Sequence, residues 1–131
     1  MQILTREQIL SADDLPKEVC EIPEWGGSVY VKTLSARAKE EWEQAMYATK
    51  SDKRDDNITN IRASLTALTC CDDDGVAIFT KADIEILNEK SSSALERVFN
   101  AACKLNRIGT NDVEELAKNS DETHDDDSPT D

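Results

Sequence analysis

The sequence is poor in the residues that carry most chemistry: it has one histidine, four glycines, six aromatic residues and no apolar run longer than a few residues. Each shortage excludes something. A bilayer-spanning helix needs about 20 consecutive apolar residues, and none is present. The opening MQILTREQIL has no apolar signal core and is soon followed by Asp13 and Asp14, so no secretory leader is expected. The single imidazole, His124, sits in the last dozen residues, which leaves no positioned base for a serine or cysteine nucleophile. Gly26-Gly27 is the one glycine cluster, and no G-K-[ST] or G-x-x-G follows it, so no phosphate cradle is indicated.

Basic residues are also scarce. Against 28 Asp and Glu there are 15 Lys and Arg, a formal charge of −13 over 131 residues. Six of the acids (Asp121, Glu122, Asp125, Asp126, Asp127 and Asp131) lie beyond Lys118, where no basic residue follows. Removing them leaves 22 acidic against 15 basic residues, so residues 1–118 carry about −7. A negative field opposes nucleic-acid binding, which depends on Lys and Arg displacing counterions, and opposes docking on anionic membranes. Neither partner is expected.

The four cysteines, Cys20, Cys70, Cys71 and Cys103, form no C-x-x-C pair, and two are adjacent in an apolar run. That spacing fits neither a zinc site nor a disulfide frame; it predicts small buried apolar residues in a cytosolic protein. Asp72-Asp73-Asp74-Gly75 invites comparison with a calcium loop. With Gly75 at the sixth position, Cys70 would stand first and Lys81 twelfth, where acidic ligands are required. A solvated turn is the better reading. No cofactor or metal site is expected, and no carboxylate pair sits in the apolar context that would raise a pKa for acid catalysis. Nothing points to an enzyme.

What is present is patterned. Residues 5–16 read as a short helical or irregular lead-in around Ile9 and Leu10, ended by Pro16. Strand-like runs at 18–22 and 28–33 flank Pro23-Glu24-Trp25-Gly26-Gly27 and predict a hairpin, with the glycine pair supplying positive φ angles. Val29 and Val31 share one face of the second run; Tyr30 and Lys32 share the other. From Ser35, a helix cap, the period lengthens to place Ala38, Trp42, Ala45, Met46 and Thr49 on one face. After a polar loop a second helix begins at Asp55 or Asp56, with the stripe Ile58, Ile61, Leu65, Leu68 and then Thr69 or Cys71. Residues 76–79 are a possible third strand. Thr80 with Asp83 resembles a helix start, Ser93 with Glu96 a capping box ahead of Leu95, Val98, Phe99, Ala102 and Leu105, and Asn111 with Glu114 another. The fold class is α+β: a small antiparallel sheet packed with four to five mostly amphipathic helices. Residues 1–118 are expected to form one domain. Residues 119–131, which have no Leu, Ile, Val, Met or large aromatic residue to bury, are expected to be a disordered acidic tail.

Trp42 belongs to a helical stripe and reads as core. Trp25, in a glycine-flanked turn, can shield the hairpin as a lid or anchor a partner; the lid is the better supported role. Trp25 and Tyr30 are the candidate partner-binding residues.

The order of segments resembles a known family. Ile22-Pro23-Glu24-Trp25-Gly26-Gly27-Ser28-Val29-Tyr30-Val31 followed by Leu34-Ser35-Ala36 is similar to the start of the tail assembly chaperones of long-tailed bacteriophages. Arg62-Ala63-Ser64-Leu65-Thr66-Ala67-Leu68, Cys71-Asp72-Asp73-Asp74-Gly75, Phe79-Thr80-Lys81-Ala82-Asp83-Ile84 and Leu87-Asn88-Glu89-Lys90 through Phe99 extend the likeness over most of residues 3–119. The P-E-W-G-G turn is its distinctive piece and is not catalytic. The resemblance implies a non-enzymatic protein of the host cytoplasm, absent from the mature virion. It would bind the tape measure protein and keep it soluble while major tail tube protein polymerises around it. Many relatives also have a longer form, made by ribosomal frameshifting, with a C-terminal domain that contacts the tube protein; this chain would correspond to the short form. A tail-completion component and a host-directed adaptor are the alternatives, and the residues leave homo-oligomerisation open.

Overall fold

Pro16 stops the lead-in and Pro23 opens a turn. Between them β1 (Lys17–Ile22) runs antiparallel to β2 (Gly27–Lys32) in a computed structural model that describes residues 1–118. The acidic stretch expected to be disordered lies outside the described residues. The register pairs Lys17 with Lys32 and Ile22 with Gly27. The connection is a 3-10 turn, Pro23–Trp25, closed by Gly26 at φ 75, whose N–H donates to the Pro23 carbonyl at 3.0 Å. Only Gly26 of the glycine pair takes a positive φ; Gly27 already belongs to the strand. Alternation holds as expected, with Ile22 and Val31 fully buried on the inner face.

The third strand is not at 76–79. It is β3 (Cys70–Cys71), which pairs Tyr30 with Cys71 and Val31 with Cys70 to give the sheet order β1-β2-β3. Asp72 folds the chain back at once: its carboxylate accepts from the N–H groups of Asp74 and Val76, and Gly75 takes φ 82. Residues 76–78 therefore return alongside a two-residue strand, and contribute one bridge from Ala77 to Cys71 while Val76 and Ile78 stay exposed.

Among the described residues six α-helices accompany the sheet. They are α1 (Arg6–Ser11), α2 (Ala36–Ala48), α3 (Arg54–Thr69), α4 (Ile84–Leu87), α5 (Ser92–Asn106) and α6 (Thr110–Ala117). Ser35 caps α2 as expected, accepting from Ala38 N–H at 3.1 Å. Thr80 and Asp83 form the expected capping pair ahead of α4. Two other caps are displaced. Ser91 rather than Ser93 caps α5, accepting from Ala94 N–H at 3.2 Å, which brings Ser92 and Ser93 into the helix. Asp112 reaches back to Gly109 N–H at 2.9 Å at the start of α6, in place of the pair Asn111 and Glu114. Between these helices Arg107 takes the left-handed conformation (φ 57) and Ile108 N–H donates to the Cys103 carbonyl at 2.8 Å. The chain thus closes α5 in a Schellman-like turn without a glycine.

α3 is central, and its single apolar stripe understates its burial. Ile61 and Leu65 join Ile22, Val31, Trp42, Met46 and Val98 in the main core. On another face Ala63 and Ala67 meet Leu87 and Leu95 in a second cluster. At the edge of the first face, the Trp42 indole N–H donates to Ser64 Oγ at 2.9 Å. Small side chains at 63, 64 and 67 let neighbouring helices approach closely, so burial spreads around the helix rather than along one seam. Polar side chains lock its ends. Asn57 donates to the carbonyls of Ala117 and Ser51 at 2.9 and 3.0 Å, tying α6 to the start of α3. Asn106 accepts from Leu34 N–H at 2.7 Å, fixing the exit from β2 against α5.

Candidate partner-binding groove

The turn that carries Trp25 is held on both sides. Glu24 accepts from the Arg97 guanidinium at 2.8 Å, an ion pair that lowers the carboxyl pKa and raises that of the guanidinium. The indole is half-buried and packs against both core clusters, beside Phe79. The next wall comes from α4. Ile84 and Leu87, three residues apart, face inward, so Ile86 cannot share their face and points out, 59% exposed.

Between them lies a groove of about 240 Å³, lined by Trp25, Phe79, Ile86 and Leu87 with Asp83 and Lys90 beside them. Such an open, mostly apolar slot with a few charges suits the aliphatic side chains of a protein partner. A larger hollow of about 610 Å³ lies where the N-terminal segment meets the body. It is more polar: Lys17, Lys32, Asp13 and Asp74 line it, and Lys32 Nζ donates to the Gly75 carbonyl at 3.2 Å.

The two sequence-predicted partner residues are not brought together. Trp25 forms a wall of the groove. Tyr30 is not among the groove residues: it lies on the sheet with Lys17 Nζ 5.1 Å from its ring centre, and its hydrogen bond with Asp73 pushes the phenol pKa up. Sequence reasoning missed Phe79, Ile86 and Leu87. The signal was available in Ile84-Glu85-Ile86-Leu87, since a one-turn helix cannot bury three aliphatic side chains so placed against one surface.

The cysteines pack rather than react. Cys70 and Cys71 are buried, and Cys20 and Cys103 are half-buried. Burial pushes the Cys70 thiol up to about 12 and the Cys103 thiol up to about 11, and raises Cys20 and Cys71 as well. At neutral pH they are thiols, not the thiolates that nucleophilic attack requires.

A small antiparallel sheet packed with helices, with an apolar groove at the hairpin turn, defines an α+β protein. The family model for phage tail assembly chaperones matches residues 5–119, and the chain belongs to that family. The solved structure of the bacteriophage HK97 tail assembly chaperone is similar in fold. Its TM-score is 0.57 at 20% identity, over 76% of this chain and 94% of that one. None of the curated proteins compared with the chain matches it. Among the described residues no helix is long and apolar enough to cross a membrane.

Proposed function

We propose that this chain is a non-enzymatic chaperone that binds the tape measure protein of a long-tailed phage. It would hold that long, helical client soluble while major tail tube protein polymerises around it. The work is done in the host cytoplasm, and the chaperone is released before the virion is complete. The observation that supports this reading is the groove walled by Trp25, Phe79, Ile86 and Leu87, an apolar hollow with Ile86 exposed at its rim, on a member of the tail assembly chaperone family. An amphipathic client helix presents aliphatic side chains three and four residues apart, which such a groove can accept. Acidic surroundings limit self-aggregation of the loaded complex. Trp25 is the primary contact in this reading, and Tyr30 a secondary one on the sheet.

The test is co-expression of the chaperone with its tape measure protein. The native chain should keep the client in the soluble fraction and co-purify with it, while Ile86→Asp, which alters an exposed side chain, should fold normally and fail to do so. Equal rescue by Ile86→Asp would refute the groove as the client site. Detection of the chaperone at stoichiometric levels in purified particles would favour a structural tail component instead.

A further inference from the structure

The charges around the groove are almost all committed to partners within the chain. Asp83 accepts at its carboxylate from Thr80 N–H at 2.8 Å and from Thr80 Oγ1 at 3.3 Å. Arg97, which holds the Trp25 turn, donates to Glu24 at 2.8 Å. Lys90 is the exception. It lines the groove, it is exposed, and among the described residues it makes no ion pair. Its backbone is nevertheless fixed. Glu89 N–H donates to the Ile86 carbonyl at 3.0 Å and Lys90 N–H to the Leu87 carbonyl at 3.0 Å, so α4 runs on into a further turn. That turn sets Lys90 about one helical turn beyond Ile86, the exposed wall of the groove.

We propose that Lys90 is a specificity-determining residue of the groove. It selects client helices that carry an acidic side chain one turn, three or four positions, from the aliphatic side chain seated against Ile86. This rests on the groove being the client site. A helix laid along α4 presents neighbours one turn apart, which is the spacing of Ile86 and Lys90. The apolar walls supply the affinity. A rim ion pair adds little to it, but it sorts partners and fixes their register.

The surroundings sharpen the choice. Glu85 and Glu89 are exposed on the same segment, and over residues 1–118 acids outnumber bases by 22 to 15. A client acid is therefore repelled over most of this surface and favoured beside Lys90. A client base at that position meets an ammonium of its own sign and is rejected. A long helical client offers many apolar turns of similar shape, and one free lysine lets the groove distinguish among them.

Binding of the full chain to an array of overlapping peptides, about 20 residues each and so ~30 Å as helices, tests this. The array covers the tape measure and major tail tube proteins. The tape measure peptides retained should have Asp or Glu three or four positions from an aliphatic residue, and those with Lys or Arg there should be passed over. In solution, exchanging that acid for lysine in a retained peptide should weaken binding about three- to tenfold. Lys90→Glu should weaken the unaltered peptide as much, and the two changes together should restore binding. Lys90→Gln, which removes the charge alone, should bind the two peptides alike. The proposal is overturned if the retained peptides show no acid at that spacing, if Lys90→Glu selects as the native chain does, or if the reciprocal exchange fails to restore binding. Failure of the groove itself gives a different result. If Ile86→Asp retains the same peptides as the native chain, or if the array retains tube peptides alone or none, the client-site reading falls and this inference with it. If Ile86→Asp abolishes retention while Lys90→Glu leaves the selection unchanged, the groove stands as the client site and only the role of Lys90 falls.

Discussion

Replacing Trp25 with alanine removes a side chain that serves two surfaces at once. One part of the indole packs on the cluster of Ala63, Ala67, Leu87 and Leu95 and on Phe79, and the rest walls the groove. A fully buried Trp or Phe truncated to Ala costs about 3–5 kcal/mol. With roughly half that burial the expected loss is ~2 kcal/mol, which lowers the melting temperature of a chain this size by about 8 °C. Binding should fall separately, because removing an aromatic anchor from an interface costs ~2 kcal/mol or more, about thirtyfold in affinity. The assay is urea unfolding followed by the fluorescence of Trp42, which remains buried against Ser64, combined with titration of a tape measure fragment below the unfolding transition. Working with folded protein separates the two effects. Unchanged affinity per folded molecule would refute the groove reading and leave Trp25 a lid alone. An unchanged melting temperature would refute the packing estimate.

Four further outcomes are expected. Leu65→Ala, at a fully buried position of α3, should open a cavity and cost ~2–5 kcal/mol in chemical denaturation; a loss under ~1 kcal/mol would mean the helix repacks. Arg107→Gly should raise stability by roughly 0.5–1 kcal/mol, because glycine takes the left-handed conformation that ends α5 without strain; a lower melting temperature would contradict this. The raised Cys70 thiol binds its proton more tightly in the folded chain, so its contribution is intact below pH ~9 and is lost as pH rises towards 12; Cys70→Ala should flatten that alkaline limb. A chain stopped after Asn119 should melt within ~1 kcal/mol of the full chain, since the residues removed have no large apolar side chain; a larger loss would show that they dock on the body.

Much of this fold is written locally. Alternation in β2, the Ser35 cap, the three-and-four spacing of Trp42 with Met46 and of Leu95 with Val98 and Ala102, and the turn at Asp72–Gly75 are decided by residues within a few positions of one another, so the sequence alone specifies them. The order of those segments, with P-E-W-G-G at their head, also carried the family. Other features depend on what distant segments bring. Cys70 and Cys71 become the third strand because β2 lies beside them, while the more strand-like residues 76–79 are turned aside by the tight Asp72 turn. α3 is buried on several faces because α2, α4, α5, α6 and the sheet surround it, which a single stripe cannot report. The groove is the clearest case. Trp25 and Ile86 are 61 positions apart, and no local pattern says that the two share a site. Periodicity states which face of an element turns inward, but only the closing of the core against α3 determines which outward side chains become neighbours.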